Sequence, residues 1–380
     1  MPVMLALREI RRALVRFALL SGAIGLLVFL ILFQQTIQVG LITSFVGAIE
    51  NQSAPVLVYP IDGRVNLQGS VVIPQLQQQI ESVDGVAVAG RIGQGTYSVR
   101  TDADGAETGE QTVAIIGYDD ERVGAPDTMS EGRLPESAGE VVALASSAGD
   151  GFDIGDTVTV LPGDVELEVV GLADEIGLQA STTLFTTYDT FESVVTGTNP
   201  DATSAPPAAI GLAPADGVSA EQLVERVNEQ VPDADAYTRA DAAAETPGVA
   251  QVQQSFQIIF LLYGLVVPLV TGLFFLIVTL QKAGALTLLR AVGVPGQRLV
   301  RSLVAQVLIV MGLGIVIGIA MYYPLSNQQL GGVPLSFQAG AVVFWAVLLL
   351  VLGVLSSLFA ARRVLAIDPL EATKGAGGGR

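Results

Sequence analysis

Asp102 and Asp104 in the stretch TDADGAETGE (101–110) are the first side chains in this sequence that could hold a hard cation, because closely spaced carboxylates supply oxygen ligands. The stretch lacks the spaced ligands and distal glutamate of a calcium loop, so it reads as a solvated acidic turn. Glu50, Met321, Tyr322 and Tyr323 form a second set of candidates. Tyr and Met can ligate a haem iron, which makes these four residues candidate outer-face contacts for hemin. The competing reading of the tyrosines is a membrane-interface aromatic belt. Nucleophilic chemistry has little to draw on. The 380-residue chain contains no Cys and no His, which removes the commonest general base and the commonest transition-metal ligand. No serine stands in a G-x-S-x-G setting. The terminal GAGGGR lacks a Walker lysine, and G-x-x-x-x-G-K-[ST] occurs nowhere. An enzyme would have to rest on a carboxylate, Lys, Ser or Tyr, and no metal or cofactor is expected on this chain.

The elements that would carry these residues are mostly apolar. Hydrophobic residues make up 51% of the chain and the mean hydropathy is +0.56, which suggests membrane spans. About 20 apolar residues cross a bilayer, and four stretches qualify: 17–39, 256–280, 303–323 and 339–361. Pro268, with Gly264 and Gly272 on either side, predicts a kink with close helix approach in the second. Gln34 and Gln35, near the outer end of the first, are expected to bond across a dimer seam. Residues 1–16 place Leu5, Leu7, Ile10 and Leu14 against an arginine-rich face and read as an interfacial amphipathic helix before a retained signal anchor.

Charge sets the expected orientation. Twelve of the 19 Lys and Arg residues lie in 1–16, 281–301 and the tail from 362, alongside three acids. The long segment between the first two spans holds the other seven bases and 34 acids. Both termini, the 281–302 segment and the 362–380 tail are therefore expected in the cytoplasm, and 40–255 and the short loop 324–338 outside. The acidic balance makes nucleic acid an unexpected partner. Within 40–255, alternating strands recur at 55–60, 86–100, 111–119, 140–146, 157–162 and 165–174. Two βαβ-like flanks, with helices around 74–82 and 218–230, bracket a strand-rich insert at about 100–190. Ser219 and Gln222 have capping-box spacing, and 196–209 reads as a Pro/Ala/Thr-rich linker. The fold class expected is membrane α-helical, with four transmembrane helices and a large extracytoplasmic α+β domain between helices 1 and 2.

The segment ALTLLRAVGVPGQRLVRS (285–302) is too short for a domain and too apolar for a plain solvated loop. It reads as a helical knob rimmed by arginines, with a break at Gly293–Gly296. Leu288, Leu289, Arg290, Ala291, Val292, Gly293 and Val294 resemble the cytoplasmic segment of MacB/FtsX-type (type VII) ABC transporter permeases; Ala285 stands where that family usually has Glu. The resemblance extends to ARRVLAIDPLEATK (361–374), with Arg362, Arg363, Asp368, Pro369 and Glu371 in matching places. It also covers SEGRLPESAGEVVALASSAGDGFDIGDTVTV (130–160) and LALREIRRALVRFALL (5–20). Residues 276–293 with 302–308 look closest to the DevC/HrtB branch, exporters of glycolipid or hemin.

What the resemblance implies is a permease subunit in the cell membrane. It would work with a separate P-loop ATPase, which carries the ATP and Mg, and with a second permease copy, identical or a related paralogue. Residues 288–294 would sit on the ATPase, and the 368–370 stretch would brace the cytoplasmic end of span 4. The implied activity is export or extraction of an amphipathic substrate (lipid, hemin or peptide) by mechanotransmission. The spans hold no mid-membrane charge of the kind a polar-solute pathway would be expected to need. The alternative is an FtsX-like transmitter that activates an external cell-wall hydrolase without transport.

Overall fold

The computed structural model describes residues 13–103, 106–107, 109–281, 296–326, 329–330 and 333–365. Its helices in chain order are α1 (Leu14–Glu50), α2 (Pro74–Glu81), α3 (Tyr188–Thr198), α4 (Ala220–Gln230), α5 (Arg239–Glu245), α6 (Val249–Gln281), α7 (Gly296–Tyr322) and α8 (Ala339–Leu365). The strands are β1 (Val56–Pro60), β2 (Val86–Ala103), β3 (Ala106–Glu107), β4 (Gln111–Tyr118), β5 (Met129–Gly132), β6 (Glu140–Leu144), β7 (Thr157–Leu161), β8 (Val165–Ala173), β9 (Thr182–Thr187), β10 (Ala209–Pro214) and β11 (Ala234–Thr238). A two-stranded hairpin (Gln329–Leu330 with Val333–Pro334) lies between α7 and α8. Two compact units divide within α1 near Gln38 and within α6 near Gln254.

One unit is a helical bundle. Four helices among the described residues are long and apolar enough to cross a membrane. The 37 residues of α1 give a helix of about 55 Å at 1.5 Å per residue, against roughly 30 Å of hydrocarbon. The helix therefore runs on past Val39, where the apolar pattern places the end of the span. Likewise α6 starts at Val249, seven residues before the apolar run does. Hydropathy marks where a helix is apolar, not where it ends.

The bundle core gathers Phe17, Ile24, Val28 and Ile31 of α1, Val310, Met311 and Ile315 of α7, and Trp345 and Leu349 of α8. Glycines let α1 and α7 approach. A Cβ on Gly318 would lie 2.6 Å from Val28 Cβ and 2.7 Å from the Gly25 carbonyl, and one on Gly314 would lie 2.6 Å from Ile24 Cγ2. Gly314 and Gly318 are four apart, the small-residue spacing of tightly packed membrane helices. Ser21 Oγ donates across the same seam to Val310 O at 3.2 Å. Helix α6 continues through Pro268. Ser356 Oγ donates to Pro268 O at 2.7 Å, and bare Gly272 leaves room for it. Among the described residues, nothing lies within 4 Å of where a Cβ on Gly264 would be.

The other unit is an α+β domain. Strands β11-β1-β10-β2 are neighbours in that order, with all three contacts antiparallel. The two flanks read from the sequence as βαβ units therefore interlock. Each places a strand between the two strands of the other, giving the split βαβ arrangement. Period-2 burial explains the layering. Val56 and Val58 face Leu76 and Ile80 of α2 and Leu223 and Val227 of α4, while Leu57 and Tyr59 face a separate core with Val46, Ile49 and Ala242. The capping box forms as the spacing predicts, with Gln222 N donating to Ser219 Oγ and Ser219 N to Gln222 Oε1.

The insert closes on itself. β2 pairs β4, β4 pairs β9, β9 pairs β6, β6 pairs β8, β8 pairs β7, and β7 returns to β2. The ring encloses Val99, Val113, Ile115, Val141, Val158, Leu167 and Leu184. Helix α3, which the apolar pattern of the sequence did not reveal, covers it with Tyr188, Phe191 and Val194. Its β-branched and Gly content disguises it. Phe191 is seated on Gly93 and Gly117, which are cross-strand partners. A Cβ on either would come within 2.3 Å of that side chain.

Candidate functional site

Three consecutive side chains on α1 tie it to the other three bundle helices. Tyr263 of α6 donates its hydroxyl to Gln34 Oε1 at 3.4 Å, and Trp345 Nε1 of α8 donates to Gln35 Oε1 at 3.4 Å. Thr36 and Tyr322 of α7 share a hydrogen bond of 2.5 Å between hydroxyls. Successive residues on a helix point about 100° apart, so this short polar layer faces three neighbours in turn. Gln34 and Gln35 thus each accept a hydrogen bond within the chain.

The layer also sorts the substrate-contact candidates. Tyr322 is 1% exposed. Its ring stacks on Phe337 and its hydroxyl is held by Thr36 and sits 3.5 Å from Ser336 O. Both its ring and its hydroxyl are thus engaged inside the bundle. Met321 is 42% and Tyr323 61% exposed, so these two neighbours keep free faces. Glu50 is exposed at the last position of α1 and belongs to the α+β unit.

The last turns of α1 are bonded to the segment 174–181. Ala48 N donates to Gly177 O at 3.0 Å, Gln179 N to Phe45 O at 3.0 Å and Ala180 N to Ser44 O at 2.8 Å. Asn51 Nδ2 donates to Glu175 O at 2.7 Å. A Cβ on Gly47 would lie 2.1 Å from the Glu175 carbonyl oxygen, so only glycine fits this crossing. Glu175, Gln179 and Ala180 all hold positive φ, at 58°, 51° and 58°, a region that side-chain-bearing residues enter only under constraint. From the barrel side, Thr183 Oγ1 accepts from Leu178 N at 2.9 Å. Sequence reasoning missed this joint because its two sides are over a hundred positions apart and joined mainly by backbone atoms. The one local signal is Gly47 inside a helix and Gly177 inside the loop.

Partial burial, then the nearby charges of Asp174 and Glu50, hold the Glu175 carboxyl above the usual carboxylate range. An acid whose folded pKa is raised binds more protons folded than unfolded, so its contribution to stability falls as pH rises through that window. The α+β domain of the Glu175→Gln variant is expected to melt higher than wild type at pH 7.5. That advantage should shrink toward pH 5, as wild-type Glu175 protonates. Thermal unfolding followed by protease sensitivity at the two pH values checks this; an advantage that grows on acidification contradicts it. Glu140 behaves oppositely. Arg133, and the backbone N–H groups of Glu136 and Ser137, hold its carboxyl at about 2. The clasp joins the two conspicuous ends of the GRLPESAGE run.

Leu288, Leu289, Arg290, Ala291, Val292, Gly293 and Val294 lie outside the described residues, as do Asp104, Asp368, Pro369, Glu371 and residues 1–12. Arg362 and Arg363 fall in the last turn of α8. Among the described residues, no group of three or more His, Cys, Asp or Glu could hold a metal ion.

Residues 18–230 match the family model of the MacB-like periplasmic core domain. The chain is 22% identical over 371 residues to a candidate hemin transport system permease, HrtB, of Staphylococcus haemolyticus, covering 98% of this chain and 99% of that protein. It is 26% identical over 317 residues to an uncharacterised ABC transporter permease of Mycobacterium tuberculosis, covering 81% and 80% of the two chains. Among solved structures it is similar to the periplasmic region of MacB from Actinobacillus actinomycetemcomitans. That similarity has a TM-score of 0.35 and 13% identity, over 51% of this chain and 92% of that one.

Proposed function

From the premise that this chain belongs to the MacB-like periplasmic core domain family and is a multi-pass ABC transporter permease, we propose that it moves an amphipathic substrate outward by mechanotransmission. A separate P-loop ATPase would bind ATP and Mg, and two permease copies would pair. Residues 288–294 would rest on the ATPase. Both termini would be cytoplasmic, with the α+β domain outside.

The observation that carries this reading is α1 itself. One unbroken helix supplies bundle core residues from Phe17 to Leu32 and, farther along, the backbone partners of segment 174–181. A stroke applied to the bundle part of such a helix would be felt at that joint, because a helix transmits axial displacement better than a loop does. The buried polar residues of the bundle among the described ones include no charged side chain, which fits a substrate that does not cross a hydrophilic pore. The likeness to HrtB supports hemin or a comparably amphipathic molecule as cargo.

The test is ATP-dependent removal of hemin or a fluorescent lysolipid from the outer leaflet of proteoliposomes holding the chain and its ATPase. Loss of probe only with hydrolysable ATP is expected. ATP hydrolysis that removes neither, yet activates an external cell-wall hydrolase, would replace export with the FtsX-like signalling role.

A further inference from the structure

A cavity of about 220 Å³ lies beside the α1 joint, within the α+β domain. Phe45 and Ile49 of α1, Leu67, Leu178 of the joint segment, and Pro247, two residues before α6, give it an apolar wall. Its remaining lining is two amides and one hydroxyl, with no charge. One oxygen on each of two of those side chains already bonds the protein's own backbone. Asn66 Oδ1 accepts from Gln68 N at 3.1 Å, and Thr246 Oγ1 donates to Ala242 O at 2.8 Å. The interior therefore asks little hydrogen bonding of an occupant, the condition under which hydrocarbon enters at least cost.

Size narrows the class further. Pockets that enclose a whole drug-sized ligand measure roughly 300–1,000 Å³, and this one is smaller. It suits the end of a flexible chain better than a rigid macrocycle. A larger cavity in the same domain, about 430 Å³, carries Asp62 and Asp233 in its lining, whose charges disfavour hydrocarbon.

We propose that this cavity is a binding site for the alkyl end of a single-chain amphiphile. Because the wall includes both α1 and the joint segment, an occupant braces the two against each other. The proposal rests on the export reading and names a substrate class for it.

The chain has no native cysteine, so Pro247→Cys, at an exposed position, provides a unique thiol for an environment-sensitive fluorophore. The labelled full chain, with its ATPase in phosphatidylcholine nanodiscs, is titrated with lysophosphatidylcholine and separately with glycerophosphocholine, the same head group without the chain. Expected is a saturable blue shift with the lysolipid and none with the head group. Adding Thr246→Trp, a partly exposed position, fills the mouth and should raise the half-saturating concentration about tenfold, the effect of losing roughly two buried methylenes. No saturable shift, an equal response to the head group, or an unchanged titration in Thr246→Trp overturns the site. Quenching by brominated bilayer phospholipid before any lysolipid is added also overturns it, since ordinary lipid would then be the occupant. Retention of the ATPase in the same sample tests the export reading separately: a failed titration overturns the cavity site whether or not the ATPase is retained, and loss of the ATPase counts against the export reading.

Discussion

Gly47→Ala is expected to disconnect α1 from the segment 174–181 while leaving the ATPase bound and active. Helix propensity alone argues the reverse, since alanine stabilises a helix interior by about 1 kcal/mol over glycine. The geometry decides the sign. The new Cβ would lie 2.1 Å from Glu175 O, and the obstacle is backbone, which cannot swing aside as a side-chain tip can. The segment has to lift. The Asn51 bond and the three backbone bonds at Ala48, Phe45 and Ser44 then lengthen or break. Overpacking at about 1–3 kcal/mol, with each lost hydrogen bond worth about 1 kcal/mol, outweighs the gain in propensity. A net of about 3 kcal/mol shifts the joined population on the order of a hundredfold. Amide exchange of residues 174–181, with the ATPase present and with or without ATP and vanadate, reads this directly. Wild type should show slow exchange that responds to nucleotide. Gly47→Ala should show fast exchange that does not, with ATP hydrolysis retained and substrate removal lost. A more protected segment in Gly47→Ala would mean that propensity dominates and that the joint carries no load.

The second large effect is expected at Gly318→Leu. Its Cβ would come 2.6 Å from Val28 Cβ and 2.7 Å from Gly25 O, so α7 has to move off α1. Membrane helices associate through close packing of this kind, without a hydrophobic drive between them. The loss is on the order of 3 kcal/mol or more, and it falls on the seam that also holds the Ser21 to Val310 and Thr36 to Tyr322 bonds. Gly312→Leu is the internal control, on the same helix with nothing within 4 Å of its Cβ position. The amount of intact chain in membranes should fall several-fold for Gly318→Leu and stay near wild type for Gly312→Leu. Equal behaviour of the two would mean that α1 and α7 do not depend on this contact.

What could be read ahead of the structure follows from how local each signal is. The Ser219–Gln222 capping box, the alternating strands around Val113 and Val158, and the four apolar helices all announce themselves within a few residues. The split order of β11, β1, β10 and β2 does not, because βαβ spacing says nothing about which strand is inserted between two others. Tyr322 shows the same limit at a site. An aromatic at the end of a span reads as an interface residue, yet its hydroxyl is taken up by Thr36, far away in the chain. The Gly47 crossing is legible only once the Glu175 carbonyl is seen against it. The motif at 288–294 is the converse case, rich in sequence signal and outside the described residues.

The claim beneath all of this is that the chain works as the membrane half of an ATP-driven pair. Its most direct test is mass spectrometry of the proteins and small molecules that copurify with the tagged chain from its native membrane under mild extraction. A P-loop ATPase in near-stoichiometric amount is expected, lost when Arg290 and Gly293 are both replaced by Asp, together with a lipid, hemin or similar amphiphile. Recovery of intact chain with no ATPase would contradict the claim.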